Sequence, residues 1–197
     1  MCPNTIDVMK WPIIFLPLAL ASCEREKPVS RMPREQAVKL AREAAQDAFT
    51  QLSGELAKAI ESGGPVAAIP VCSGKAGSIV AEVAAKRQLA MVRLSDRPRN
   101  PTQAAQGSDL AAMETFRAAV RRGETPAPLD EAMADGSTVL RLPITVSQPL
   151  CLQCHGSESD VTAETRKAIL AVYPDDKATG YSLNDLRGIW RITVPPQ

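Results

Sequence analysis

Cys151-Leu152-Gln153-Cys154-His155, reached directly from the alternating run Val139 to Val146, is the stretch on which the reading of this chain turns. Two thiols three positions apart, followed at once by a histidine, form the attachment pattern of c-type haem. The spacing has a chemical reason. Each thiol adds across a haem vinyl group to give a thioether, and the adjacent imidazole reaches the iron from one face. His155 is the only histidine among 197 residues, so no second imidazole exists for the opposite face. A structural zinc site would need about four Cys or His ligands, and Cys72 is the only other thiol beyond the N-terminal segment. A thioredoxin-like dithiol would open a helix behind a strand in a βαβ unit. Here Thr145 to Leu150, with Pro149, reads as a loop leaving a strand.

Working outward, Leu140, Leu142, Ile144 and Val146 alternate onto one side of a half-buried strand, and Pro143 places it near a sheet edge. Upstream, Pro33 opens a long helix. Its apolar stripe is Val38, Ala41, Ala45, Ala48, Leu52, Leu56 and Ile60, stopped by Gly63-Gly64. Pro65 to Arg87 is a second helical region interrupted near Pro70, with Cys72 just past the break. Leu89 to Ser95 reads as a strand and Arg97 to Pro101 as a loop. Ser108 caps a helix to Arg122, with Leu110, Met113, Phe116 and Val120 inward and Gly123 ending it. Thr162 begins a short helix through Tyr173, and Gly180 to Pro195 reads as two closing strands around Asn184-Asp185.

The N-terminus reads as a targeting segment. Lys10 supplies charge, Trp11 to Leu20 an apolar run too short for the roughly twenty residues of a membrane span, and Leu20-Ala21-Ser22-Cys23 resembles a bacterial lipobox. Met9-Lys10 would itself make an ordinary signal-peptide start, with Met1 to Val8 an extension before it; a plain cleaved signal or an uncleaved anchor is the alternative to a lipoprotein signal. The expected organisation is a lipoprotein signal peptide over residues 1–22, a tether over 23–32 beginning at lipid-bearing Cys23, and one haem-binding domain over 33–197. Glu24 behind the cysteine favours the outer membrane by resemblance to bacterial sorting rules. The chain is therefore expected to face the periplasm of a Gram-negative bacterium, anchored to the membrane by lipid. Export agrees with covalent haem attachment, which in bacteria takes place outside the cytoplasm. A net charge of +1 gives no argument for a nucleic-acid partner.

Cysteine arithmetic then isolates one thiol. Cys2 lies in the discarded segment, Cys23 takes lipid, Cys151 and Cys154 take haem, and Cys72 is left unpaired. Candidates for the iron's second axial position are Cys72, Met32, Met91, Met113, Met133, a lysine, water or nothing. Methionine would raise the potential and thiolate would lower it. A lone cysteine is usually a small buried hydrophobe, but an unpaired thiol in an oxidising compartment is a liability that iron ligation would remove. Arg93, Arg97 and Arg99 cluster within seven positions, and their guanidinium forks suit the carboxylates of haem propionates. A solvated loop near Asp96 is the plainer alternative. Tyr181 and Trp190 are candidates to pack on the haem or to lie in an ordinary core.

The ordered pieces Ala68-Ile69-Pro70-Val71-Cys72-Ser73, Arg93-Leu94-Ser95, Arg99-Asn100-Pro101, Cys151 to Gly156, Tyr173 to Tyr181 and Asp185-Leu186-Arg187-Gly188 resemble the Tll0287-like family. The resemblance covers most of the mature domain. It implies an α+β, PAS-like antiparallel sheet flanked by helices, behind a long N-terminal helix. It also implies one covalent haem c whose iron is held by His155 and Cys72. After Asn100-Pro101 the family tends to carry a second asparagine, where this chain has Thr102-Gln103.

Three classes of function follow. A haem-based redox or gas sensor leads, because two axial ligands block the iron until a charge change or a small diatomic ligand displaces one. Such a sensor is expected to act through a separate redox or signalling protein. A periplasmic electron-transfer cytochrome c is the alternative. An enzyme comes last, since a peroxidase-like site wants an open iron and a distal acid–base group, and no histidine remains for that role.

Overall fold

A computed structural model describes residues 31–196. The signal segment, Cys23 and all of the tether but its last two residues lie outside the described residues. Helix α1 (Arg34–Pro70) begins behind Pro33, whose carbonyl accepts the Ala37 N–H at 3.0 Å. Gly63 and Gly64 break its ladder without ending it. Gly64 takes φ 70°, ψ −172°, a conformation open to glycine, and the chain re-enters the helix through Pro65. The expected stop is thus a kink, because a proline directly behind the glycines is already shaped for a first helical turn.

Pro70 does not interrupt the second helical region; it changes the helix type. Proline offers no N–H for the ladder, and Val71–Lys75 forms a π-helical turn. The Ala76 N–H reaches back five residues to the Val71 carbonyl. Helix α2 (Ala76–Lys86) follows, then strand β1 (Ala90–Leu94) and a 3₁₀ turn at Pro101–Gln103. Helix α3 (Ser108–Arg121) departs from expectation in two ways. Gly107, not Ser108, holds the N-cap position, and Leu110 is exposed while Asp109, Ala112, Met113 and Phe116 face inward. Gly123 closes this helix at φ 73°, as expected.

Strand β2 (Leu129–Ala132), not foreseen, pairs with strand β3 (Thr138–Thr145). Then come helix α4 (Pro149–His155), helix α5 (Ala163–Val172) and strand β4 (Leu186–Val194). The second closing strand does not form. Residues 180–185 turn instead, with Asn184 at φ 70° and the Asn184 N–H bonded to Val146 O.

The four strands form one antiparallel sheet in the order β1-β4-β3-β2. The first strand lies beside the last, and the fold is α+β with a long N-terminal helix, as expected. Strand β3 is interior rather than at an edge, but β2 reaches only as far as Arg141. Pro143 therefore sits on a stretch paired to β4 alone, opposite Ile189, where its missing N–H costs no second ladder bond.

Both faces of the sheet are covered. On one, Leu140, Leu142, Trp190, Ile192 and Val194 meet Ala37, Ala41, Ala44 and Ala48 of α1 with Val80, Val83 and Ala84 of α2. The most buried stripe of α1 includes Ala41 and Ala48, as expected, with Ala37 and Ala44 in place of Val38 and Ala45, which flank it half-buried with Leu52. Alanines there let the helix lie close to the sheet. The second core joins Met113 and Phe116 of α3 to Leu186 and Ile189.

Candidate functional site: the Cys-x-x-Cys-His helix and its cleft

The motif is helical, and its helix takes in Pro149 and Leu150, the end of the stretch expected to be a loop. Pro149 occupies the first turn of α4 behind an extended Gln148, a position in which its missing N–H is harmless. Cys151 and Cys154 are three positions apart, hence on one helix face. The C-terminal carbonyls of α4 find partners in the returning chain. Tyr181 N–H donates to His155 O at 2.9 Å, Gly180 N–H to Gly156 O at 2.6 Å, and Arg99 to Cys154 O at 2.6 Å. Gly156 has no room for a side chain, since a Cβ would meet Asp160 Cβ at 2.5 Å and Leu152 O at 2.7 Å.

His155 is held in a defined tautomer. Its Nδ1 lies 2.7 Å from Ala178 O, and a carbonyl only accepts, so Nδ1 carries the proton. Nε2 is left unprotonated, with no hydrogen bond among the described residues. Burial, then the Arg187 and Arg99 guanidiniums, hold the imidazole well below its ordinary value of 6.5. The ring meets Tyr181 edge-on, with centroids 6.4 Å apart.

Cys72 sits on the π-helical turn and shares a narrow cleft with Cys154 and Arg99. Ala68 and Ile69 of α1, Ile169 of α5 and Tyr173 complete its walls. Solvent reaches Cys72, yet the dense surroundings of its sulfur push the thiol up, against the opposing pull of Arg99 and Arg93. Burial likewise raises Cys154. None of the four candidate methionines lines this cleft: Met91 and Met113 are core, Met32 packs against the first core, and Met133 is exposed.

The three arginines expected together have separate roles. Arg99 is buried and forks onto Asp176, with contacts of 3.1 Å to each carboxylate oxygen. Arg97 is exposed, donates to Lys177 O and Thr179 O, and stacks on Tyr181 at 4.4 Å. Arg93 lies over Trp190 at 5.9 Å, and its buried Nε has no partner among the described residues. Burial lowers its pKa, with Cys72 and Tyr173 as the groups facing it. Trp190 belongs to the first core. Thr102 donates from N and Oγ to Asn100 Oδ1 at 3.0 and 2.9 Å.

Arg187 went unread as a site residue, although its sequence block did not. It projects from β4 to place Nε 3.4 Å from His155 Nδ1 and one terminal nitrogen 3.0 Å from Ser95 Oγ. Ala178, the carbonyl on His155, carries no side-chain signal at all. The described residues hold no cluster of three or more His, Cys, Asp or Glu side chains placed to bind a metal ion.

Fold and site together define an α+β sheet domain with a Cys-x-x-Cys-His helix docked at its flank. The chain belongs to the Tll0287-like family, whose pattern matches residues 28–195. Among solved structures, it resembles the crystal structure of the cyanobacterial heme-protein Tll0287. The TM-score is 0.59 at 22% identity, over 83% of this chain and 97% of that one. That likeness is one of fold. No curated protein matches the chain.

Proposed function

We propose that the chain is an exported, lipid-anchored protein carrying one covalent haem c, and that it serves as a redox or gas sensor, not as an enzyme. The residues fit the group. Cys151 and Cys154 would form the thioethers, and His155 Nε2 and Cys72 would hold the iron. The unpartnered Arg93 Nε suits a propionate carboxylate. Membership of the Tll0287-like family and the similarity to a heme-protein support the reading. The haem, when bound, supplies an iron that exchanges one electron and takes a diatomic ligand where an axial position is open.

One observation favours sensing over plain electron transfer: Cys72 rides on the π-helical turn. Such turns are frequent at functional sites. A thiolate favours Fe(III) over Fe(II), so reduction weakens its hold, and protonation of sulfur weakens it further.

Cys72→Ser is therefore expected to turn a low-spin, thiolate-type oxidised spectrum into a high-spin or water-ligated one, raise the potential and admit carbon monoxide. An unchanged spectrum and potential would make Cys72 a core residue, move ligation to a methionine and leave an electron-transfer cytochrome as the better reading. The anchor is tested separately. Cys23→Ala should abolish labelling by radioactive fatty acid and release the protein from membranes; equal labelling and retention would refute it.

A further inference from the structure

The second half of the site's electrostatics lies behind the histidine. Arg187 is half-buried, and the protein packed around its guanidinium lowers its pKa. Every contact it makes is neutral: Ser95 Oγ at 3.0 Å, Arg97 O at 3.4 Å, His155 Nδ1 at 3.4 Å and the Tyr181 ring at 5.4 Å. The nearby carboxylate of Asp176 is already forked by Arg99, and no carboxylate bonds Arg187 among the described residues. A guanidinium stays charged in a protein, and in low-dielectric surroundings its field is strong. The side chain is also fixed in place. Gly188 lets β1 and β4 approach so closely that a Cβ there would stand 2.5 Å from Leu94 O. That approach brings Ser95 against the β4 backbone, where its Oγ donates to Arg187 O at 2.9 Å and accepts from the guanidinium.

We infer that Arg187 is a positioning residue whose fixed, unneutralised charge behind His155 holds up the reduction potential of the iron that His155 would ligate. The inference rests on the haem reading above. It acts through the imidazole: a cation fixed beside the ring opposes gain of charge at the metal that the ring would hold, so Fe(II) is favoured relative to Fe(III). The anionic sulfur of Cys72 would pull the other way. The chain thus sets a cation against one axial ligand and an anion at the other. That opposition keeps the couple within reach of a mild reductant despite the thiolate.

Haem-loaded wild type, Arg187→Gln and Arg187→Lys are to be compared by spectroelectrochemistry at low and high salt. Arg187→Gln is expected to shift the Fe(III)/Fe(II) equilibrium at least tenfold toward Fe(III), about 59 mV for one electron. Arg187→Lys, which keeps the charge, should recover most of the difference. Because the guanidinium is half-buried, part of the shift should persist at high salt, where that of a surface charge would be screened away. A folded, haem-loaded Arg187→Gln protein with a potential within tenfold of wild type overturns the inference and leaves Arg187 a packing residue. Should Arg187→Gln not retain haem, Ser95→Ala decides instead, since it frees the guanidinium from one anchor without removing charge. A lowered potential then supports the inference, and an unchanged one overturns it. A wild-type protein without haem overturns both readings; an unmoved potential overturns this one alone.

Discussion

A histidine that binds metal through Nε2 needs its other nitrogen fixed, and here one backbone carbonyl does this for His155. The same burial that preserves the neutral ring has a cost in acid. The ring's folded pKa is depressed below 6.5, so below that value the unfolded chain binds a proton that the folded chain refuses. Stability must then fall as pH falls. The Cys151→Ala, Cys154→Ala double variant isolates the effect. Its haem, if any binds, should extract into acidified organic solvent, whereas haem in the wild type should not. The haem-free form should lose stability from pH 6.5 downward, at up to about 1.4 kcal/mol per pH unit for one proton. Extraction of haem from the wild type would refute the thioethers. A urea midpoint flat between pH 7 and 5 would refute the account of His155.

Helix α4 has seven residues and cannot be stable alone; what holds it are the bonds its last carbonyls accept from Arg99, Gly180 and Tyr181. Gly156 makes that docking feasible, because anything larger would collide with Asp160 and Leu152. Gly156→Ala should cost about 1–3 kcal/mol by overpacking and, by displacing the turn that carries His155, reduce haem content. Wild-type stability and full haem loading would show the turn to be soft. The neighbouring elements show where local patterns are legible. Helix α5 starts at Thr162, whose Oγ accepts the Thr165 N–H at 3.1 Å. Strand β2 was invisible because Leu129-Asp130-Glu131-Ala132 has no alternating apolar face; backbone pairing to β3 alone makes it a strand.

Across the molecule, the two sheet faces are tied by different forces. The core under α1 and α2 is built of apolar side chains, while α3 is also pinned by charge. Asp109, buried on α3, receives Arg141 of β3 at 2.7 Å and Arg191 of β4 at 3.1 Å. Arg141 also reaches Ser108 Oγ at 2.8 Å and Glu131 at 3.1 Å. Breaking such a pair leaves a buried charge without its partner, which costs far more than the pair contributes. Asp109→Ala should therefore lose about 3–5 kcal/mol in urea denaturation; a loss below about 1 kcal/mol would mean that water or relaxation replaces the carboxylate. The α3 pattern concealed this feature. Leu110 was the natural inward residue by hydrophobicity, yet it lies outside and the aspartate inside. The arginines that neutralise Asp109 come from strands 32 and 82 positions away.

Short-range chemistry was readable from the chain alone. Two thiols and an imidazole at positions 151, 154 and 155 need one turn of backbone to meet, and the alternation at 140, 142 and 144 needs only the two-residue period of a strand. The start of α1 behind Pro33 and the capping of α5 by Thr162 are of the same kind. Whatever couples distant positions came from tertiary packing. The cleft joins Cys72 to Cys154, Arg99 leaves the expected trio for Asp176, and Arg187 lies behind His155 across 32 positions. The reason is physical. A local pattern records the geometry of one element, but a site is set by which elements share a sheet face. Here the antiparallel pairing of β1 with β4 brought Ser95, Arg187 and the motif helix together.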